Sequence, residues 1–162
     1  MRIAILSDTH GRHALVARAL HMVKAREVQM VLHCGDIDDP DTVFLFDGLT
    51  VHFVFGNGDR NDQAALCRAI AQIGAAWHDG WGQLELEGTK IAFLHGDDAH
   101  LLHDLEHSGA FDFLFHGHTH QAEEHQTGPT RVVNPGALHR AWRKTFALLD
   151  LSTKEVELVT VY

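Results

Sequence analysis

The sequence predicts an α/β fold, because strand-like and helix-like segments alternate through the first half of the chain. Three apolar runs, at 2–6, 30–33 and 51–55, are typical of buried strands, and a segment with helical spacing follows each of them. The second half contains mainly short strand-like segments, which favours antiparallel pairing. These patterns indicate a parallel sheet covered by helices, continued by a more antiparallel region.

The individual elements follow from periodicity and from helix and turn signals. The predicted helices cover 14–26, 41–46, 61–73 and 98–107. The later predicted strands cover 76–78, 83–87, 90–94, 111–115, 122–126, 131–133, 145–150 and 155–161. The first helix is the clearest, because apolar residues recur at 15, 16, 19, 20 and 23.

Length and composition limit the class of protein. A chain of 162 residues fits one domain over 1–162, and its formal charge of −9, with no marked Lys/Arg cluster, argues against long nucleic acids as partners. Cys34 and Cys67 form neither a CxxC pair nor a disulfide framework, which favours a reducing compartment. The apolar run at the N-terminus is too short for a signal peptide or a membrane span. We therefore expect a cytoplasmic protein without a membrane partner.

Polar motifs follow five of the predicted strands. They are Ser7-Asp8-Thr9-His10, Gly35-Asp36-Ile37-Asp38, Gly56-Asn57-Gly58-Asp59, His95-Gly96-Asp97 and His116-Gly117-His118-Thr119-His120. Glycine beside a key residue permits a tight bend or a close approach of the backbone. Because ligands of such sheets bind beyond the carboxyl ends of the strands, we expect the five motifs to converge on one rim.

The residue types in these motifs suit a metal site. Carboxylate, imidazole and amide groups are ligands for Mn, Fe, Co, Ni or Zn. In an extended chain Asp8 and His10 point to the same side and could reach one ion. His118 and His120 would lie about 6.6 Å apart along such a chain. That separation suits two ions about 3.5–4 Å apart, with Asp36 as the bridging carboxylate.

Each motif taken alone has a simpler interpretation. A DxH or GD sequence can be a turn or a helix cap, and GHTH can be a structural histidine cluster. Asn57-Gly58 is a hairpin signal, although the strand before it and the helix after it do not suit a hairpin. The occurrence of all five motifs in this order favours a functional site.

The motif set resembles that of the calcineurin-like metallophosphoesterases. Asn134-Pro135-Gly136 and the short length are similar to the small bacterial and archaeal phosphodiesterase branch, and the resemblance covers residues 3 to about 137. It implies two packed mixed β-sheets flanked by helices, and two divalent ions, with manganese favoured. The implied ligands are Asp8, His10, Asp36 and His120 for the first ion, and Asp36, Asn57, His95 and His118 for the second.

The resemblance further implies an enzyme in which hydroxide activated by two metal ions attacks a small phosphodiester. Residue 58 is often histidine in the superfamily and often cysteine in this branch, and residue 97 is commonly histidine; here they are Gly58 and Asp97. Since Gly58 has no side chain to protonate a leaving group, we expect activity mainly on esters with good leaving groups. Asp59 is then expected to cap the following helix.

Other polar residues receive weaker assignments. Arg12, His13 and Gly58 are candidate substrate-binding residues. His33, His116 and His139, like His13, fit a structural role better than a substrate contact. Asp38 and Asp39 are expected to shape a turn before Pro40. Cys34 is expected to be a buried thiol and not a nucleophile.

Two other functions fit the same motifs. A phosphomonoesterase or nucleotide pyrophosphohydrolase could use the same metals, and a retromer-subunit-like scaffold could share the fold without the reaction. A complete ligand set favours an enzyme over a scaffold. The last two strands, within 145–162, could form an edge that pairs in a homo-oligomer.

Overall fold

The α/β pattern is confirmed by the computed structural model, which describes residues 1–162. The strands are β1 Arg2–Leu6, β2 Met30–Cys34, β3 Val51–Val54, β4 Ala76–His78, β5 Trp81–Leu86, β6 Thr89–Leu94, β7 Phe113–Phe115, β8 Glu123–Thr127, β9 Thr130–Asn134, β10 Thr145–Asp150 and β11 Glu155–Thr160. The helices are α1 His13–Ala25, α2 Pro40–Phe44, α3 Gln63–Gln72 and α4 Ala99–His107. Every predicted element is present, with ends that differ by one or a few residues.

The strands form two mixed sheets. The first has the order β11-β10-β1-β2-β3-β4, and β1 to β4 run parallel while β10 and β11 are antiparallel. The second has the order β5-β6-β7-β9-β8, with β6, β7 and β9 parallel. β11 therefore lies at a sheet edge, as expected, and its pairing with a second copy stays a prediction.

The two sheets pack face to face because both sides of their strands are apolar. Along β1, Ile3 and Ile5 enter the core between the sheets, and Ala4 and Leu6 enter the core beneath the helices. This alternation follows from the two-residue period of a strand. The helices α1, α2 and α3 cover the first sheet, and α4 covers the second through Leu105. No helix is both long enough and apolar enough to cross a membrane.

A buried histidine supports the loop between β2 and α2. The backbone N–H of Gly35 donates to Nδ1 of His33 (3.2 Å), so Nε2 carries the hydrogen and donates to Oγ1 of Thr9 (3.1 Å). The Thr9 hydroxyl in turn donates to the backbone carbonyl of Asp36 (3.3 Å). Burial, followed by the neighbouring His95 and His10, lowers the pKa of His33 from 6.5 to about 3. His33 is thus a neutral structural residue, in agreement with the weaker sequence assignment.

This burial predicts a pH-dependent stability. Between the ordinary pKa of 6.5 and the folded pKa of about 3, the unfolded chain binds a proton at His33 that the folded chain does not. The contribution of neutral His33 to the free energy of unfolding is therefore complete above the ordinary pKa. As pH falls below that value, the contribution is lost at about 1.4 kcal/mol per pH unit. In urea unfolding with EDTA between about pH 4 and 7, we expect His33→Gln to show a shallower pH dependence than the parent chain.

The matched control is His21→Gln, since His21 is exposed on α1. That variant should keep the parent slope. Equal slopes for the parent and His33→Gln would contradict the assignment of a neutral, buried imidazole.

Candidate metal centre

All five polar motifs meet at one rim of the sandwich. They follow β1, β2 and β3 of the first sheet and β6 and β7 of the second, at the carboxyl ends of parallel strands. Asp36, after β2, lies between histidines from both sheets: its carboxylate is 3.3 Å from Nε2 of His10 and 3.5 Å from Nε2 of His95. The structure therefore brings together the residues that the sequence predicted to converge.

Four of these residues form a compact cluster of possible metal ligands. Asp8, His10, Asp36 and His120 each offer one ligand atom, and these atoms lie within 4.8 Å of one another. Nε2 of His120 is 3.2 Å from Oδ1 of Asp8. Oδ1 of Asp8 and Nε2 of His10 are buried without any hydrogen-bond partner. Such unpaired polar atoms are costly in a protein interior, and a bound cation would satisfy both.

A second group adjoins the first across Asp36. Nε2 of His95 lies 3.2 Å from Oδ1 of Asn57 and 3.3 Å from Nδ1 of His118. His95 is almost fully buried, at 1% exposure, and its Nδ1 lies 2.8 Å from the backbone carbonyl of Cys34. Nδ1 donates to that carbonyl, so Nε2 is unprotonated and faces the group. Asn57, His95 and His118 thus form a second group of ligand-type side chains, which His95 joins to Oδ1 of Asp36.

The ligand-bearing loops have an unusual backbone. Asp8, His10, Asp36, His118 and His120 all have positive φ, between 42° and 70°. The sequence argument that extended backbone places Asp8 beside His10 was therefore wrong in its local geometry, although the two side chains do converge. Residues other than glycine rarely hold this conformation and cluster at functional sites when they do.

Asp8 is oriented by neighbours that occupy only one of its oxygens. Ser7 Oγ donates to Asp8 Oδ2 (2.6 Å), and the backbone N–H of His118 donates to the same oxygen (3.0 Å). A Cβ at Gly117 would clash with Ser7 Oγ and come within 2.6 Å of Asp8 Oδ2. Glycine is therefore required at residue 117 for this contact between the loop after β1 and the loop after β7. Because the contact uses Oδ2 of Asp8, Oδ1 remains facing the cluster.

Asp38 orients His10, a role that the sequence did not predict. Its Oδ2 lies 3.1 Å from Nδ1 of His10, and Asp38 also has a positive φ of 77°. Nδ1–H donates to this carboxylate, which directs the unprotonated Nε2 toward Asp8 and Asp36. The interpretation of Asp38 as a turn residue was therefore incomplete. Asp39, by contrast, does accept from the N–H of Thr42 (2.7 Å) and caps α2.

The expectation that Asp59 caps the following helix was wrong. Asp59 is fully buried, and its carboxylate accepts four backbone N–H bonds of 2.8–2.9 Å, from Asp36, Ile37, Asp38 and Gly56. Burial raises the pKa of this carboxyl, and the backbone amides of Asp38, Gly56 and Ile37 act in the opposite direction. Helix α3 instead begins after Asp62. Asp59 ties the loop after β2 to the loop after β3.

The geometry of the rim can be compared with known proteins. A family model described as the calcineurin-like phosphoesterase superfamily domain matches residues 1–154. The chain belongs to the calcineurin-like phosphoesterase superfamily. This superfamily uses divalent metal ions, as the cluster of carboxylates and imidazoles also suggests.

Individual relatives agree with the family. A protein of Methanocaldococcus jannaschii named as a phosphodiesterase is 27% identical over 160 residues, which cover 96% of each chain. A solved archaeal phosphodiesterase is similar with a TM-score of 0.92 at 25% identity, covering 99% of this chain and 100% of that one. Vps29 of Entamoeba histolytica in complex with Zn²⁺ has a TM-score of 0.69 at 20% identity, covering 99% and 98%, and shares the fold alone.

The predicted substrate-binding residues of this phosphoesterase fall in different places. Nε of Arg12 donates to Nδ1 of His139 (2.9 Å), and the His139 ring lies 4.9 Å from the His10 ring. Arg12 therefore lies beside the cluster. His13 instead pairs with Asp39 at 3.0 Å. The sequence favoured a structural role for His139 over a substrate contact, and the structure places its ring against that of His10.

Gly58 lies against the candidate site, whereas Asp97 pairs with an exposed arginine. The N–H of Gly58 donates to Oδ1 of Asp36 (2.8 Å), and a Cβ at residue 58 would come within 2.9 Å of that oxygen and 3.0 Å of Asp38 Oδ1. Asn57 to Asp59 form a 3₁₀ turn and not a hairpin. Asp97 pairs with Arg60 at 2.9 Å. Gly58 thus contacts the site through its backbone.

The four bonds to Asp59 predict a large effect of a small change. Asp59→Asn keeps the shape but removes the charge and places an NH₂ group against backbone N–H donors. We expect the free energy of unfolding to fall by at least about 2 kcal/mol, because bonds to a charged acceptor contribute about 1.5–3 kcal/mol. Urea unfolding measures this difference.

Asp62→Asn is the matched control, since Asp62 is exposed and makes no capping hydrogen bond. It should leave stability nearly unchanged. If Asp59→Asn were equally harmless, Asp59 would not be the residue that ties the two loops together.

Proposed function

We propose that this protein is a metal-dependent phosphodiesterase that binds two divalent ions and hydrolyses small phosphodiesters. Membership of the phosphoesterase superfamily supports hydrolysis of a phosphoester. The preference for diesters is supported by the relatives named as phosphodiesterases, which match the chain over nearly its whole length. A phosphomonoesterase or pyrophosphohydrolase is the alternative, and it would use the same residues.

One observation carries the proposal: the cluster has buried ligand atoms that make no hydrogen bond within the protein. Oδ1 of Asp8 and Nε2 of His10 are both unpaired, and both face Asp36 and His120. We assign these four residues to the first ion. Their mixture of carboxylate and imidazole fits Mn, Fe, Co, Ni or Zn, and we favour manganese.

The second ion is assigned to Asp36, Asn57, His95 and His118. Asp36 would contribute to both ions, since its two oxygens face different histidines: Oδ2 faces His10 and Oδ1 faces His95. The unprotonated Nε2 of His95 and the carbonyl oxygen of Asn57, 3.2 Å apart, would turn toward a common cation. These seven residues are also the proposed catalytic set.

The side chains divide the remaining work of hydrolysis. When bound, two divalent ions polarise a phosphoryl oxygen and make water nucleophilic near neutral pH. Asp38 holds His10 in the tautomer that leaves Nε2 free, and the Cys34 carbonyl does the same for His95. Arg12 is exposed and bonds to His139, whose ring packs against His10, so both residues could donate hydrogen bonds to a phosphate at the site.

No side chain at residue 58 can protonate the leaving group, so we propose that the leaving oxygen departs largely without a general acid. General acid catalysis contributes about 10²–10⁴-fold when it is present. We also propose a reducing, cytoplasmic location, which the free cysteines Cys34 and Cys67 support. Association of two copies through β11 is proposed as well, because this strand lies at the edge of the first sheet.

Metal content tests the proposed function directly. The purified protein, loaded with Mn²⁺ and desalted, should hold two ions per chain and hydrolyse bis(p-nitrophenyl) phosphate. Asp36→Ala should lose bound metal and reduce the rate by more than about 100-fold, beyond the effect of an outer-shell partner. Elemental analysis and the initial rate are the two measurements.

Asp41→Ala removes an exposed carboxylate from the first turn of α2 and serves as the control. It should bind and react like the parent. If the parent holds no metal above trace, and Asp36→Ala leaves every property unchanged, the protein is a scaffold and not an enzyme.

The missing proton donor predicts a steep dependence on the leaving group. For substituted phenyl methyl phosphates, kcat/KM should fall sharply as the pKa of the phenol rises. Gly58→His should flatten this slope. Gly58→Ala is the control, because it adds the Cβ that crowds Asp36 but no group that can donate a proton. It should lower the rates for all substrates without changing the slope. A flat dependence in the parent chain would show that another group supplies the proton.

A further inference from the structure

A tryptophan projects into solvent beside the candidate metal centre. Trp142, between β9 and β10, is fully exposed (100%), whereas most large apolar residues of the chain are buried. It borders a cleft of about 250 Å³. The cleft is lined by His120, Gln121, Ala122, Trp142, Arg143 and Leu158. Because His120 is also a proposed metal ligand, the cleft adjoins the site.

The segment that carries Trp142 is attached to the site at its start. His139 packs against His10 with ring centroids 4.9 Å apart and against His120 at 6.4 Å. At the other end, Nη2 of Arg143 donates to Oγ1 of Thr160 on β11 (3.0 Å). Trp142 therefore lies between two anchored residues, His139 and Arg143, of which His139 packs against the candidate metal centre.

The same segment is basic. Arg140, Arg143 and Lys144 lie within six residues of a chain whose formal charge is −9. The expectation that the acidic chain has no marked cluster of Lys and Arg is therefore wrong for this segment. Lys144 bonds to the carbonyl of Ala141, and Arg140 has a positive φ of 49°. Positive charge beside the metal centre favours an anionic substrate that extends over this segment.

We infer that Trp142 and Arg143 form a subsite for a flat aromatic ring on the phosphodiester substrate, either an aryl group or a nucleobase. The inference rests on the proposed function and specifies its substrate class. An indole face and a guanidinium plane both stack on aromatic rings, and such stacking tolerates any base. A purely alkyl diester would leave Trp142 in water and gain nothing from the cleft.

Competitive inhibition of the manganese-loaded protein tests the subsite. The probes are methylphosphonate, phenylphosphonate and the adenosine 5′-ester of methylphosphonic acid. The parent chain should bind the aromatic probes about tenfold more tightly than methylphosphonate. Trp142→Ala should remove this preference and leave the inhibition constant of methylphosphonate unchanged, whereas Trp142→Phe should retain most of it.

Trp77→Ala is the matched control, because Trp77 is a partly exposed tryptophan on β4. It should keep the preference. Tighter binding of both aromatic probes assigns the subsite to any flat ring, and tighter binding of the adenosine ester alone assigns it to a nucleobase. Equal inhibition by all three probes, or an equal change for all three in Trp142→Ala, would overturn the inference.

Tryptophan fluorescence separates this inference from the proposed function. In a Trp77→Phe, Trp81→Phe background the signal comes from Trp142, and aromatic probes should quench it more than methylphosphonate does. Quenching without hydrolysis of any diester would support the subsite and refute the phosphodiesterase. Hydrolysis without quenching or aromatic preference would refute the subsite alone.

Discussion

The candidate site depends on one buried carboxylate. Asp59 accepts backbone N–H bonds from Asp36, Ile37, Asp38 and Gly56, and so joins the loops that follow β2 and β3. The first loop presents the central carboxylate of Asp36 and the carboxylate of Asp38 that orients His10; the second presents Asn57. Without this acceptor, four N–H groups beneath the site would lose their partner. The position of Asp36 thus depends on a residue that contacts no other ligand.

The surrounding fold explains why such a site is possible. Two sheets pack through apolar faces such as those of Ile5 and Phe93, and helices cover their outer sides, so the strand ends at the rim cannot shift independently. This rigidity holds five ligand-bearing residues at positive φ, a conformation that a mobile loop would relax. With the backbone in this conformation, ligand side chains from both sheets lie around Asp36. Buried atoms of Asp8 and His10 then lack hydrogen-bond partners, which a bound cation would supply.

The parts of this arrangement that could be predicted are those that local sequence encodes. Strands β1 to β3 end where apolar residues change abruptly to aspartate or asparagine, so the convergence of Asp8, Asp36 and Asn57 follows from the parallel order of the strands. The role of Asp59 could not be predicted, because three of its four partners lie 21 to 23 residues earlier and all four are backbone groups. Trp142 could not be placed either, since its segment has no regular period.

The central claim is that Asp36 lies between two metal ions. The most direct measurement is a crystal structure of the manganese-loaded protein, with anomalous diffraction used to locate the metal. Two peaks about 3.5–4 Å apart are expected on either side of the Asp36 carboxylate. Asp8, His10 and His120 should ligate one, and Asn57, His95 and His118 the other. A single peak, or a peak away from Asp36, would contradict the account.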